Sequence, residues 1–237
     1  MLKKVLFWDF DGTLVVSFKW RNLLYASLKK FGYDIDIEEI RQHLRKGYTW
    51  HTPEISYIDH TGQKWWDKLF SHLDVFYENH IVAKKDVGKI NPYFKSQILD
   101  CKNYELYDDA ISVLSRCVEM GYKNYILSNN FPELELVIKD LGLSEYFADY
   151  IISGNIGYEK PRIEIFQYAL NLAGFPEDCY MIGDNLTADI QGGKSAGMKT
   201  ILVHKNRDFD SDSDSDFDSE ADYTYENLSE IILLLDQ

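Results

Sequence analysis

Four consecutive apolar residues, Val5-Leu6-Phe7-Trp8, run directly into Asp9-Phe10-Asp11-Gly12-Thr13, and no other stretch restricts the folds open to this chain as much. An unbroken apolar run of strand length is suited to burial on both faces, as in a parallel sheet covered by helices. Ligands of open α/β sheets collect beyond the carboxyl ends of the strands, which sets Asp9 at the strand tip and Asp11 in the loop after it. Two carboxylates held there repel each other and lose hydration unless a cation lies between them. A hard divalent ion such as Mg2+ is the natural complement. Taken alone, the nonapeptide also satisfies a plainer reading, a solvated turn in which Asp9 or Asp11 caps the next helix and Gly12 takes a positive φ.

The later part of the chain supplies the remaining elements of such a sheet. Apolar spacing predicts helices over 108–121, 132–142, 162–174 and 187–196, with strands over 124–127, 150–152, 180–182 and 200–203. Strands alternating with helices of about 10 to 15 residues indicate a parallel sheet flanked by helices. Residues 17–99 read differently. Helical periodicity covers 17–31, 37–45 and 62–80, and no confident buried strand interrupts it. The expected organisation is therefore an α/β core of 1–16 and 100–237 with an all-helical insert of 17–99. Residues 223–237 hold Leu228, Ile231, Ile232, Leu233 and Leu234, enough for a terminal helix on the sheet.

Composition narrows the function classes. The chain has 237 residues, 45% of them apolar, and no run of apolar residues long enough to span a bilayer. The start, Met1-Leu2-Lys3-Lys4, leads into a strand that carries Asp9, so a signal peptide is not expected and a cytoplasmic protein is. Cys101, Cys117 and Cys179 are too few and too scattered for a disulfide framework or a metal cluster. The net charge of −14 opposes binding to nucleic acid polymers and to anionic membranes. Eight of those charges, seven Asp and Glu220, lie in the low-complexity run 208–222, and without them the charge is −6. The balance therefore says little about a small substrate. The run itself fits no calcium-binding loop and is expected to be a surface excursion before the terminal helix.

Three of the expected strands end in polar residues: Asp9 and Asp11, then Ser128 and Asn129, then Asp184 with Asp189 a turn later. Parallel pairing brings those ends to one edge, which weakens the plain turn reading. Asp9-Phe10-Asp11-Gly12-Thr13-Leu14 resembles the first motif of the haloacid-dehalogenase-like (HAD) hydrolase superfamily, and Ser128-Asn129 the second. Lys160-Pro161, ahead of a helix, is similar to the third, and Gly183-Asp184-Asn185-Leu186-Thr187-Ala188-Asp189 to the fourth. Order and separation fit over 1–205. The fold this resemblance implies is a Rossmann-like parallel α/β core with an inserted helical C1-type cap.

The resemblance also implies roles. Asp9 is the nucleophile that forms an aspartyl-phosphate, and Asp11 the general acid and then base, its backbone carbonyl also a metal ligand. Asp9 and Asp184 supply carboxylate oxygens to Mg2+, and Asp189 supports the metal shell. Ser128, Asn129 and Lys160 form the phosphate-binding set, with Lys160 neutralising the nucleophile and the phosphoryl charge. The chemistry is coherent without a family name, because a carboxylate can attack a phosphate dianion only where cations offset their repulsion. Family members that displace halide lack the second aspartate of the first motif, so Asp11 points to phosphoryl transfer.

The implied activity is a Mg2+-dependent phosphatase for a small phosphomonoester of the nucleotide or sugar phosphate class, acting as a monomer or homodimer. A phosphomutase of the beta-phosphoglucomutase type uses the same Asp9 and Asp11, and a non-catalytic binding protein on the same fold is a third reading. Lys19, Lys29 and Lys30 stand in no context that matches the Schiff-base lysine of phosphonate-cleaving members. Trp20, Arg21, Arg45, Trp50 and His51 in the insert are the candidate substrate-side residues, by stacking or by holding a second anion. The competing role for Trp20, Trp50, Trp65 and Trp66 is to pack the small core of the cap.

Overall fold

The computed structural model describes residues 4–16, 20–47, 55–204 and 221–236. In chain order, β1 (Lys4–Trp8) is followed by four helices, α1 (Trp20–Lys30), α2 (Ile37–Gly47), α3 (Gln63–Asn79) and α4 (Lys84–Ile98). Then come α5 (Ala110–Glu119), β2 (Lys123–Ser128), α6 (Leu134–Asp140), β3 (Phe147–Ile152), α7 (Ser153–Ile156) and α8 (Ile163–Leu172). The remainder is β4 (Asp178–Gly183), α9 (Gly192–Ser195), β5 (Lys199–Val203), β6 (Tyr223–Tyr225) and α10 (Ile231–Leu235).

The six strands form one sheet in the order β3-β2-β1-β4-β5-β6, every neighbour pair parallel. The apolar run that opens the chain is its centre. Leu6 and Trp8 enter a hydrophobic cluster with Ala110, Val113 and Leu114 of α5, while Val5 and Phe7 face Ile165, Phe166 and Ala169 of α8 on the other side. Alternate residues of β1 thus meet different helical layers, which is why the run carries no polar face. The polar tip of Trp8 is matched inside the core: its Nε1 donates to Asn124 Oδ1 at 3.0 Å, and Asn124 Nδ2 donates to the Tyr146 carbonyl.

Connectivity moves outward from β1 through β2 to β3, then returns to β4 on the opposite side. The crevice at this reversal lies beyond the carboxyl ends of β1 and β4. The helical cap, α1 to α4, packs against the residues that follow β2 and β3, and its buried residues include Leu24, Leu28, Ile40, Leu44, Trp66, Leu73, Phe76 and Phe94. Cap and core are joined by backbone bonds, Tyr57 N–H to the Gly157 carbonyl at 2.8 Å and Gly62 N–H to the Gly154 carbonyl at 2.9 Å. Glu133, just ahead of α6, adds side-chain bonds, accepting from Trp66 Nε1 at 2.7 Å and pairing with Lys95 at 2.8 Å. No described helix is long and apolar enough to cross a membrane.

Two expectations need correction. Residues 223–225 form an edge strand against β5, not the start of a terminal helix, and helix begins only with a 3-10 turn at Leu228–Glu230 leading into α10. Three residues are too few to show a strand period, so this pairing is decided across the sheet. Residues 187–196 are not one α-helix: Leu186–Gln191 is a wide π-type turn, and α9 is a single short turn after it. Residues 205–220, most of the acidic run, lie outside the described residues. Asp222, at the end of that run, has a defined place, accepting from Thr200 N–H and Oγ1 at 2.8 and 2.9 Å.

Candidate active site

The ladder between β1 and β4 continues one residue past the strand, with Asp9 N–H donating to the Ile182 carbonyl at 2.9 Å. Asp9 is therefore held as firmly as the sheet itself. The chain then turns tightly, Leu14 and Val15 N–H both donating to the Phe10 carbonyl, and Gly12 sits at φ 85°. A Cβ on Gly12 would lie 2.3 Å from Asp184 Oδ2, so glycine is required there both for conformation and for the approach of the acid. Thr13 Oγ1 donates to Asp184 Oδ1 at 3.4 Å. Gly183 plays a matching part, since a Cβ there would fall 2.1 Å from Asp189 Oδ2.

Asp189 is turned inward by the wide turn that contains it. Asn185 caps that turn, its side chain accepting from Thr187 and Ala188 N–H, while its own N–H donates to Asp189 Oδ2 at 3.0 Å. The other oxygen, Asp189 Oδ1, accepts from Lys160 Nζ at 2.6 Å, and the same ammonium donates to Asp9 Oδ1 at 2.8 Å. Lys160 is 2% exposed and Asp189 fully buried. Burial alone would lower the lysine pKa, but the charges of Asp189 and Asp9 outweigh it and hold the ammonium above its ordinary range.

The carboxylates are not so well served. Burial raises the Asp184 pKa well above the usual value, and repulsion from Asp9, Asp189 and Asp11 adds to it beyond what Lys160 offsets. Burial also raises Asp189, to about 6, although Lys160 pulls it back. One oxygen from each of Asp9, Asp184 and Asp189 lies within 4.8 Å of the others. Ionised together, the three carboxylates would outnumber the one ammonium beside them by two charges among the described residues, and the donors are all hard oxygens. The set fits a divalent cation of the Mg2+ kind. The Asp11 side chain is not one of the three, and the sequence expectation for this residue concerned its backbone carbonyl.

The remaining expected residues fall in several places. Ser128 ends β2 beside the crevice, and its buried Oγ has no hydrogen-bond partner among the described residues, a hydroxyl that suits an anionic oxygen. The side-chain amide of Asn129, expected to bind phosphate, is engaged with the backbone of Lys160 on both its oxygen and its nitrogen. Trp20 is built into the aromatic contact between cap and core, with ring centroids 6.1 Å from Trp65 and Phe131 and 6.2 Å from Phe94. Arg21 lies on α1, where its charge helps to lower the Glu38 pKa, and Arg45 is half-buried on α2. Trp50 and His51 lie outside the described residues. Phe131 and Glu133 were missed by sequence reasoning, although an apolar residue directly after Ser128-Asn129-Asn130 was a readable signal of a second packing surface.

Asp9, Ser128, Lys160, Asp184 and Asp189 are thus brought to one sheet edge by three strands and one loop. A family model described as haloacid dehalogenase-like hydrolase matches residues 3–197. The chain belongs to that family. As a haloacid dehalogenase-like hydrolase it is similar to the human haloacid dehalogenase-like hydrolase domain-containing protein 3, with 28% identity over 84% of this chain and 81% of the relative. It is also similar to the glyceraldehyde 3-phosphate phosphatase of Methanopyrus kandleri, with 29% identity over 87% of this chain and 86% of the relative. Among solved structures, the HAD-hydrolase YfnB from Bacillus subtilis superposes along the full length of both chains with a TM-score of 0.71 at 19% identity, a likeness of fold.

Proposed function

We propose that this haloacid dehalogenase-like hydrolase is a Mg2+-dependent phosphatase that hydrolyses a small phosphomonoester through an aspartyl-phosphate on Asp9. The observation that carries the reading is the buried ammonium of Lys160 bonded to Asp9 and Asp189, inside a carboxylate group still short of two positive charges. A site of this composition is unfavourable until a cation enters and is then suited to an anionic substrate. Asp9 and Asp184, with the Asp11 carbonyl and support from Asp189, would hold the ion. Once bound, Mg2+ supplies positive charge against the phosphoryl oxygens.

In the first step a carboxylate oxygen of Asp9 forms a bond to phosphorus as the ester P–O bond breaks in line with it, and Asp11 gives its proton to the departing alkoxide. In the second step Asp11 takes a proton from water, the water oxygen bonds to phosphorus, and the Asp9 carboxylate is released. Ser128 Oγ donates to a phosphoryl oxygen. Lys160 uses two of its three N–H donors on Asp9 and Asp189 and has one for the phosphoryl group. The activity named for the Methanopyrus kandleri relative supports a sugar phosphate of triose size within the expected class.

The test is phosphate release from a panel of glyceraldehyde 3-phosphate, hexose phosphates, nucleoside monophosphates and an aryl phosphate, with and without Mg2+, and with Asp9→Asn as control. Metal-dependent turnover, strongest on a small sugar phosphate and lost in Asp9→Asn, is the expected result. Silence of the folded, Mg2+-loaded wild type on every ester would overturn hydrolysis. Isomerised product formed only with a sugar bisphosphate activator would replace it with a mutase.

A further inference from the structure

Lys160 reaches the carboxylates from a stretch with no regular structure. α7 ends at Ile156, Gly157 follows in the left-handed region, and α8 does not begin until Ile163. A long, flexible side chain on such a stretch has no inherent reason to place its ammonium in one spot. Its far end is fixed by Asp9 and Asp189, and its near end by Asn129. Lys160 N–H donates to Asn129 Oδ1 at 2.7 Å, and Asn129 Nδ2 donates back to the Lys160 carbonyl at 2.9 Å. The orientation of the amide follows from these partners, since a backbone N–H must meet the oxygen and a carbonyl must meet the nitrogen.

Asn129 is itself anchored, because Ser128 before it is paired with Ile152 in the sheet. The neighbouring residues continue the same seam: Asn130 N–H donates to Ser153 Oγ, Gly154 N–H to the Asn130 carbonyl, and Asn155 Nδ2 to the Pro132 carbonyl. Of these seam bonds, those of Asn129 reach Lys160 itself, inside the turn that Arg162 N–H closes on the Glu159 carbonyl at 2.8 Å. Resting on the phosphatase reading above, we infer that Asn129 is a positioning residue, which acts by fixing the backbone of Lys160 and not by contact with the substrate phosphate.

Turnover gives the clamp its importance. When Asp9 becomes an acyl phosphate its carboxylate charge is lost, and the negative charge beside the ammonium moves onto the phosphoryl oxygens. Asp189 and the backbone clamp then hold Lys160 in place while the phosphoryl group, its other partner, is passed from Asp9 to water in the hydrolytic half-reaction. The role should therefore appear in kcat more than in KM.

The experiment is a double-mutant cycle with N129A, K160M and the pair, read as kcat and KM on the best ester and as binding of inorganic phosphate in the presence of Mg2+. Loss of a residue that orients a catalytic group typically costs about 10- to 100-fold, so N129A should lower kcat by that factor with KM and phosphate affinity within about threefold of wild type. In the K160M background the same substitution should change kcat by less than about threefold, since its target is gone. An equal loss in both backgrounds, or a weakened phosphate affinity with unchanged kcat, would overturn the inference in favour of direct contact. If N129A does not fold, N129D carries the same cycle, because its carboxylate accepts from Lys160 N–H but has no donor for the Lys160 carbonyl. If wild type turns over no ester, the phosphatase reading fails separately. The clamp is then tested by hydrogen exchange of the Lys160 amide, expected to be protected in wild type and released in N129A, with equal protection in both overturning it.

Discussion

The loop from Ser128 to Glu133 borders two regions that bury opposite kinds of surface. At its start, the core buries charge: Lys160 meets Asp9 and Asp189 in a bonded group with more acids than ammonium. A few residues on, the cap buries rings, with Phe131 between Trp20 and Trp66 at centroid distances of 6.1 and 5.7 Å. Buried rings depend chiefly on shape, with the Trp66 indole N–H met by Glu133. Buried charges depend on direction and on partners of opposite sign, here Lys160 against Asp9 and Asp189. The difference separates a region that holds the cap to the core from one whose acids could hold a cation.

The largest expected effect breaks the charged side alone. Asp9→Asn should lower Mg2+-dependent turnover by at least about 10^4-fold, as removal of a covalent nucleophile does, with thermal stability at neutral pH near wild type. Next in size, Phe131→Ala should break the aromatic side. Truncating a buried phenyl ring costs about 3–5 kcal/mol, read as a lowered denaturation midpoint, while Mg2+ affinity should stay within about threefold.

A third measurement separates the two regions by pH. Asp184 and Asp189 both have folded pKa values raised above their unfolded ones, and for Asp189, raised to about 6, the folded state binds more protons between about pH 4 and 6. Their contribution to stability accordingly falls as pH rises through that window in metal-free protein. Mg2+ binds only the ionised form, so its stabilisation should be large at pH 7.5, about 2.7 kcal/mol at a hundred times its dissociation constant, and should shrink towards pH 5. A Mg2+ increment in melting temperature that does not change with pH would contradict this account. The smallest effect sharpens the boundary: Trp66→Phe keeps the ring and removes the indole bond to Glu133, for about 1–2 kcal/mol by chemical denaturation.

Much of this contrast was legible in advance on one side only. Val5 to Trp8 announced a central strand, and the acids after it, with Asp184 and Asp189, announced where charge would gather. Local spacing could say this because strand ends and tight turns are short-range features. The helices of the insert at 17–31, 37–45 and 62–80 were readable by periodicity, whereas α4 was not singled out, since Pro92 lies inside it and breaks the usual pattern. The substrate-side residues named in the insert had no comparable signal. Trp20 stands among Trp65, Phe94 and Phe131, a placement that spacing could not give, because which face of a cap helix meets the core depends on how four helices close together.

Sequence alone therefore determined a parallel α/β fold, a helical insert after the first strand, and the identity of the acids and the lysine at the carboxyl edge. Each rests on periodicity or on motifs a few residues long. Tertiary structure decided that Asn129 would hold Lys160 by its backbone, that Phe131 and Glu133 would dock the cap, and that Tyr223–Tyr225 would extend the sheet. Those pairings join residues far apart in the chain through single side chains or three-residue strands, and such contacts have no period from which they can be read.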